Sequence, residues 1–363
     1  MGVGRFALTP LLPLLQSEHG LGISGAGWLA AANYVGYLFG ALVALQVRTR
    51  GGVLIRAALI ATAAATFAMG LSENFAAWLV LRTGAGFASA FLLINLSAWS
   101  LERVGGFPLL RAGVFSGVGG GIVLVGSLCL LLISVANSAH AWMILGATTM
   151  ALAALVWPAF AASETVERTV PREDHGKHWR LIAAYGATGF GYIVPVTFLP
   201  LIAKAGTAEP FHIALAWPAL GVAALCSTFA VTVGGGRASS LCRWRWAQTI
   251  MALGVGVAAV APTLAGVLVS GVCVGGTFMV ITMAAMEAGR TFGGSSPRRL
   301  MAALTTAFAA GQLAGAMVVP FGVAADGDFS LILLTAALTL LGGASLLPRE
   351  HRQHIVNFPH PET

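Results

Sequence analysis

Charge is what this sequence has least of. Asp, Glu, Lys and Arg make up only 9% of its 363 residues, against roughly a quarter in soluble domains, too few to cover a chain of this length for water. Cysteine is scarce too. Cys129, Cys226, Cys242 and Cys273 are scattered without a CxxC pair, so neither a disulfide framework nor a zinc site is indicated. No Walker phosphate loop occurs, which excludes ATP as the energy source; no cofactor is expected, and a proton or ion gradient is left to drive any work. No nucleophile–base pair or metal-ligand set stands out, which argues against an enzyme. No polar domain follows the first apolar segment, which argues against a cleaved secretory leader.

What is present is apolar surface, 57% of the residues, and its solvent must be lipid. Windows of about 20 apolar residues mark membrane helices. Twelve are expected, over 1–16, 24–46, 54–71, 75–98, 112–135, 140–161, 181–203, 211–233, 246–262, 264–286, 301–323 and 329–347. The fold class is therefore an all-α polytopic membrane protein.

The formal charge of +7 raises the question of nucleic acid, but the arginines are dispersed among short loops and form no continuous basic face. Their placement reads as topology instead. With a cytoplasmic N-terminus, the inner loops and tails hold Arg48, Arg50, Arg56, Arg103, Arg111, Arg168, Arg172, Lys177, Arg180, Arg237, Arg243, Arg245, Arg290, Arg298, Arg299, Arg349 and Arg352. The outer loops hold Lys204 with Glu18, Glu73, Glu209, Asp326 and Asp328. This is the positive-inside asymmetry. It predicts a multi-pass protein of the bacterial inner membrane with both termini cytoplasmic.

The chain repeats itself. A shift of 187 positions lays Gly2 on Gly189, Gly4 on Gly191, Pro13 on Pro200 and Leu14 on Leu201. The same shift lays Gly84 on Gly271, Phe91 on Phe278, Ile94 on Ile281, Arg103 on Arg290 and Arg111 on Arg298. Two six-helix halves follow, 1–162 and 181–348. They are joined by a polar cytoplasmic linker, 163–180, and followed by a tail, 349–363. His175 and His178 beside Asp174 could suggest a metal, but nothing completes a ligand set, and a solvated linker is the better reading. By the repeat, Arg5 stands where the second half has Tyr192, 12 residues past Arg180. That is about 18 Å into the membrane. The first window, at 16 residues, is short for a bilayer, and a start upstream of Met1 is expected.

Two parallel six-helix repeats with a polar central loop form the architecture of the major facilitator superfamily. At residue level, Leu81-Arg82-Thr83-Gly84-Ala85-Gly86-Phe87-Ala88 resembles the superfamily's fourth-helix motif. GVGRFALTPLLPLL at residues 2–15, paired with Gly27-Trp28-Leu29-Ala30-Ala31-Ala32-Asn33-Tyr34-Val35-Gly36-Tyr37-Leu38, resembles the bacterial YbfB-like (YbfB/YjiJ) branch. Two departures stand out. Ala44 replaces the aspartate usual in the loop after helix two, which puts the usual charged inner gate in doubt. Helix five has Gly113, Gly117 and Gly121 but lacks the antiporter Gly-Pro. The resemblance implies a monomeric secondary transporter whose helices one, four, seven and ten line a central cavity.

Helical spacing nominates side chains for that cavity. Helix one offers Arg5, Thr9 and Gln16; helix two, Asn33 and Tyr37; helix four, Arg82 and Ser89; helix seven, Tyr185 and Tyr192; helix eleven, Gln312. An arginine at mid-membrane costs at least ~2.5–3.5 kcal/mol on insertion scales, so Arg5 and Arg82 lead. Each has a plainer reading: Arg5 on carbonyls freed by Pro10 and Pro13, Arg82 as a clamp between helices, the tyrosines as packing. Glu287 and Glu102 read as partners of Arg290 and Arg103, and Gly36, Gly40, Gly311 and Gly315 as close-packing seams. With two core arginines and no clear mid-membrane carboxylate, the favoured solute is a small carboxylate-bearing organic anion moved by alternating access. Proton-coupled drug or metabolite efflux is the alternative, and a transporter-like sensor a third.

Overall fold

The computed structural model describes residues 2–44, 46–47, 51–104, 106–132, 136–160, 178–206, 210–234, 238–322 and 329–348. Residues 163–177 of the expected linker, the tail from 349, and the charges at Arg48, Arg50, Glu209, Arg237, Asp326 and Asp328 lie outside the described residues.

Among the described residues there are thirteen α-helices: α1 Gly2–Phe6, α2 Leu8–His19, α3 Ile23–Ala44, α4 Gly51–Ala68, α5 Phe75–Arg103, α6 Pro108–Leu132, α7 Ser138–Val156, α8 Trp179–Gly206, α9 Pro210–Gly234, α10 Ser240–Val260, α11 Leu264–Phe292, α12 Pro297–Gly322 and α13 Ser330–Leu346. The first expected helix is in fact the pair α1 and α2, interrupted at Ala7, whose own torsions stay helical. Pro10 accounts for the interruption. It has no N–H for the carbonyl of Phe6, and its ring crowds that carbonyl.

Of the twelve expected spans, eight are long and apolar enough to cross a membrane on those grounds alone, among the described residues. The first is broken, α13 has only 17 residues, α10 opens with Arg243, Arg245 and Gln248, and the side chains of α8 from 198 on lie outside the described residues. Helices α5 and α11, which the repeat equates, overshoot the expected ends alike and reach 29 residues each. That is about 43 Å, the bilayer including its headgroups. Asn74, Asn137, Ser239 and Thr263 cap the starts of α5, α7, α10 and α11 by accepting free backbone N–H groups.

The repeat seen in sequence is also a repeat of packing. In the first half α5 packs on α3 and on α4, and α4 on α7; in the second, α11 packs on α9 and on α10, and α10 on α13. The halves meet through α6 on α9 and α3 on α12, which is one contact repeated under the same exchange. Equivalent glycines make equivalent crossings. A Cβ on Gly2 would stand 2.8 Å from Gly121 of α6, and one on Gly189 would stand 2.1 Å from the Phe308 carbonyl of α12, where 121 and 308 are again 187 apart. Each half also ends its last helix in the same way. Arg56 of α4 donates to the Trp157 carbonyl beyond α7, and Arg245 of α10 donates to the Leu347 and Pro348 carbonyls beyond α13.

Small residues set the helix seams, as expected in lipid. A Cβ on Gly36 would lie 1.9 Å from the Thr83 carbonyl, one on Gly86 2.0 Å from that of Asn33, and one on Gly311 2.1 Å from that of Gly186. On α6, Gly119 and Gly126 approach α9 and Gly121 approaches α1, whereas nothing lies within 4 Å of a Cβ on Gly117.

Candidate functional site

The break in the first helix builds the site. The last carbonyls of α1 lack the partners that a continuous helix would supply. Arg82 of α5 takes two of them, donating through Nη1 to the Gly4 carbonyl at 3.0 Å and through Nη2 to the Arg5 carbonyl at 3.1 Å. Its guanidinium is buried against the Trp142 ring, and Asn33 of α3 donates to the Arg82 backbone carbonyl at 3.0 Å. Arg82 is therefore the clamp that its plainer reading described.

With the carbonyls taken by Arg82, the Arg5 side chain is released toward the other half. It does not serve the backbone near Pro10 and Pro13. Its Nη2 donates across the molecule to the Gln312 Oε1 of α12. Its Cζ lies 4.2 Å from the centre of the Tyr37 ring, 5.6 Å from Phe6 and 5.9 Å from Phe308. Arg5 is 8% exposed, Tyr37 and Gln312 not at all. No ion pair joins Arg5 or Arg82 to a carboxylate among the described residues. Cation–π contacts, worth ~2 kcal/mol or more once desolvated, offset part of the burial cost. Three polar groups around this guanidinium still lack a hydrogen bond of good geometry: Arg5 Nε, the Tyr37 hydroxyl and Gln312 Nε2.

Aromatic rings continue from there. Phe308 stacks on Tyr185 at 4.7 Å and leans on Tyr192 at 5.9 Å. Tyr192 stacks on Phe278 at 5.3 Å, and Phe6 meets Phe278 and Trp217 edge-on or tilted. Tyr185 also reaches the Thr282 hydroxyl at 3.3 Å. The repeat thus sets a cation in one half, Arg5, at the position of a tyrosine in the other, Tyr192.

Of the nominated residues, Arg5, Tyr37, Gln312, Tyr185 and Tyr192 come together; Arg82 and Asn33 form the layer behind them. Ser89 is buried with its hydroxyl unpaired, Thr9 is half-buried, and Gln16 is exposed near the end of α2, apart from this cluster. Helices two and eleven (α3 and α12) join the four that the resemblance implied. Spacing missed Phe308 and Tyr34. Phe308 carries no polar signal, while Tyr34, whose hydroxyl meets Thr197 of α8 at 3.0 Å, lies off the face that was read. Phe278 could have been found, because the repeat already pairs it with Phe91.

A second polar cluster joins the halves at the basic end. Glu287 of α11 does not pair with Arg290. It pairs with Arg111 of α6 at 3.0 Å and with Arg243 of α10. Arg290 instead donates to the Leu101 carbonyl of α5. Glu102 does meet Arg103, at 3.8 Å.

Similar proteins agree with this architecture. A segment of 94 residues is 32% identical to the uncharacterized MFS-type transporter YceJ of Bacillus subtilis (strain 168), covering 25% of this chain and 24% of that protein, so the chain spans about a quarter of that relative. The crystal structure of the human organic anion transporter MFSD10 (TETRAN) superposes with a TM-score of 0.69 over 96% of both chains at 14% identity, which establishes likeness of fold. The sequence profile of the family described as uncharacterised MFS-type transporter YbfB matches residues 1–347. The chain belongs to that family of major facilitator transporters.

Proposed function

We propose that this protein is a secondary transporter that moves a small carboxylate-bearing organic anion by alternating access, with Arg5 as the residue that binds it. The observation that carries this reading is a buried guanidinium in no ion pair among the described residues, with an unpaired N–H of its own and further unpaired donors beside it. A charge so placed at mid-depth is costly, and an anion is the group that relieves it. A cationic solute at about 5 Å would instead meet a repulsion of roughly 3 kcal/mol at an effective dielectric of 20. The fold neighbour MFSD10 is an organic anion transporter, which agrees in kind. The basic end, with Arg103, Arg111, Arg243 and Arg290, is proposed as the cytoplasmic face of a bacterial inner-membrane protein.

The test is a thermal-shift screen of purified protein against organic acids, amino acids and cationic drugs, followed by flux into proteoliposomes. Organic acids are expected to stabilise the wild type. Arg5→Lys keeps the charge but loses the two-pronged geometry that a carboxylate prefers. It is expected to fold normally and bind at least ~10-fold more weakly, the loss of ~1.4 kcal/mol. Stabilisation by cations alone, undiminished in Arg5→Lys, would replace this reading with proton-coupled efflux of a cationic drug.

A further inference from the structure

We infer that the Arg5 site takes an aromatic monocarboxylate, which displaces Gln312 from Arg5 and stacks its ring among Phe6, Tyr37, Tyr192, Phe278 and Phe308. This deepens the anion reading and rests on it. The first argument concerns the two edges of the guanidinium. Nε and Nη2 of an arginine point the same way and form one fork, which suits the two oxygens of a carboxylate. In Arg5, Gln312 Oε1 occupies Nη2 and leaves Nε without a partner. An amide has only one oxygen to give, so Gln312 half-fills a site that a carboxylate completes. The Tyr37 hydroxyl, whose O–H has no acceptor, and Gln312 Nε2 remain as donors for the same oxygens.

The second argument limits the charge. The other buried arginine has both terminal nitrogens on the Gly4 and Arg5 carbonyls and only its Nε without a partner. Freeing its fork would break a bond to the backbone at the interrupted helix, whereas Arg5 gives up one side-chain bond. One carboxylate is therefore matched, at Arg5; a second would enter the core without a free cation. The third concerns the body of the solute. The rings around Arg5 are Phe6 of α1, Tyr37 of α3 and Phe308 of α12, and Phe278 of α11 and Tyr192 of α8 pack onto them, so both halves contribute. Rings select rings: an aromatic pair is favoured over plain apolar burial by an amount worth about three- to tenfold in affinity. Because Arg5 lies in one half and Gln312 in the other, a solute that takes Arg5 also cuts a bond holding the halves together. Binding and opening are thereby linked at a single atom.

The test uses the purified full chain in detergent at constant ionic strength, with benzoate, cyclohexanecarboxylate, isophthalate and benzylamine as probes read by calorimetry. Benzoate is expected to bind about tenfold more tightly than cyclohexanecarboxylate and than isophthalate. Gln312→Glu, which gives Arg5 a built-in carboxylate, is expected to weaken benzoate at least ~100-fold while its melting temperature holds or rises. Gln312→Met, which removes the competing oxygen, is expected to bind benzoate several-fold more tightly than wild type. Equal affinity for benzoate and cyclohexanecarboxylate overturns the aromatic preference and leaves the anion reading standing. Isophthalate binding better than benzoate overturns the single-charge assignment. Unchanged benzoate affinity in both Gln312 variants overturns the displacement. Benzylamine binding with no response to any carboxylate at millimolar concentration overturns both this inference and the anion reading beneath it.

Discussion

Two arginines, each buried in an apolar helix, have different work because of what each guanidinium touches. Arg82 ends on two backbone carbonyls at the break after Phe6, and Arg5 ends on a side chain of the opposite half. Substitution separates the two roles. Arg82→Lys carries one ammonium that cannot reproduce the fork onto Gly4 and Arg5, so it is expected to lose about 1.5–3 kcal/mol, the range for hydrogen bonds to charged groups. The loss would be read as a lower melting temperature and poorer yield, with binding reduced because Arg5 is no longer presented. Arg5→Lys is expected to leave melting unchanged and lower binding alone. Equal melting temperatures in the two variants would contradict the assignment of Arg82 as the clamp.

At the scale of elements, the fourth-helix motif divides its two glycines between different jobs. A Cβ on Gly86 would stand 2.0 Å from the Asn33 carbonyl, whereas nothing lies within 4 Å of a Cβ on Gly84. Gly86→Ala must push α5 and α3 apart, at an expected cost of about 1–3 kcal/mol, and with them the Arg82 clamp and Tyr37. Gly84→Ala has room and is expected to be neutral or to stabilise by up to ~1 kcal/mol through helix propensity. Thermal melts of the two variants in the same detergent check this, and a reversed order would refute the seam. The proline that interrupts the first helix belongs to the same scale. Without the break after Phe6, the carbonyls that anchor Arg82 would be tied up within the helix.

For the whole molecule, the clasp at the basic end is one-sided. Glu287 holds Arg111 of the other half and Arg243 of its own, while its repeat counterpart in the first half is Ser100. Removing one carboxylate therefore leaves two largely buried arginines facing each other. Glu287→Gln is expected to shift the population toward conformers open at that end. In a background with the four native cysteines replaced, Ser100→Cys, buried here, should react with a maleimide several-fold faster when Glu287 is Gln. An unchanged rate would show that the halves are held by other contacts. Topology is checked separately: reporters fused after Arg103 are expected to read cytoplasm and those near Glu73 periplasm.

The membrane class, the helical fold and the two-fold repeat were legible in the sequence, because each is written in local quantities. Low charge forces the chain into lipid, lipid forces every backbone polar group into a helix, and a duplicated unit leaves a constant offset that survives in glycines and arginines. The family was legible at Arg82-Thr83-Gly84-Ala85-Gly86 and in the first helix for the same reason. The partners of the charged and polar groups were not. Spacing along one helix says which face a side chain shares, but the partner of Arg5 is 307 residues away, that of Glu287 is 176 or 44 residues away, and Phe308 announces nothing polar. Only the packing of one half against the other decided that Arg82 would hold the backbone and leave Arg5 with half of its fork unfilled.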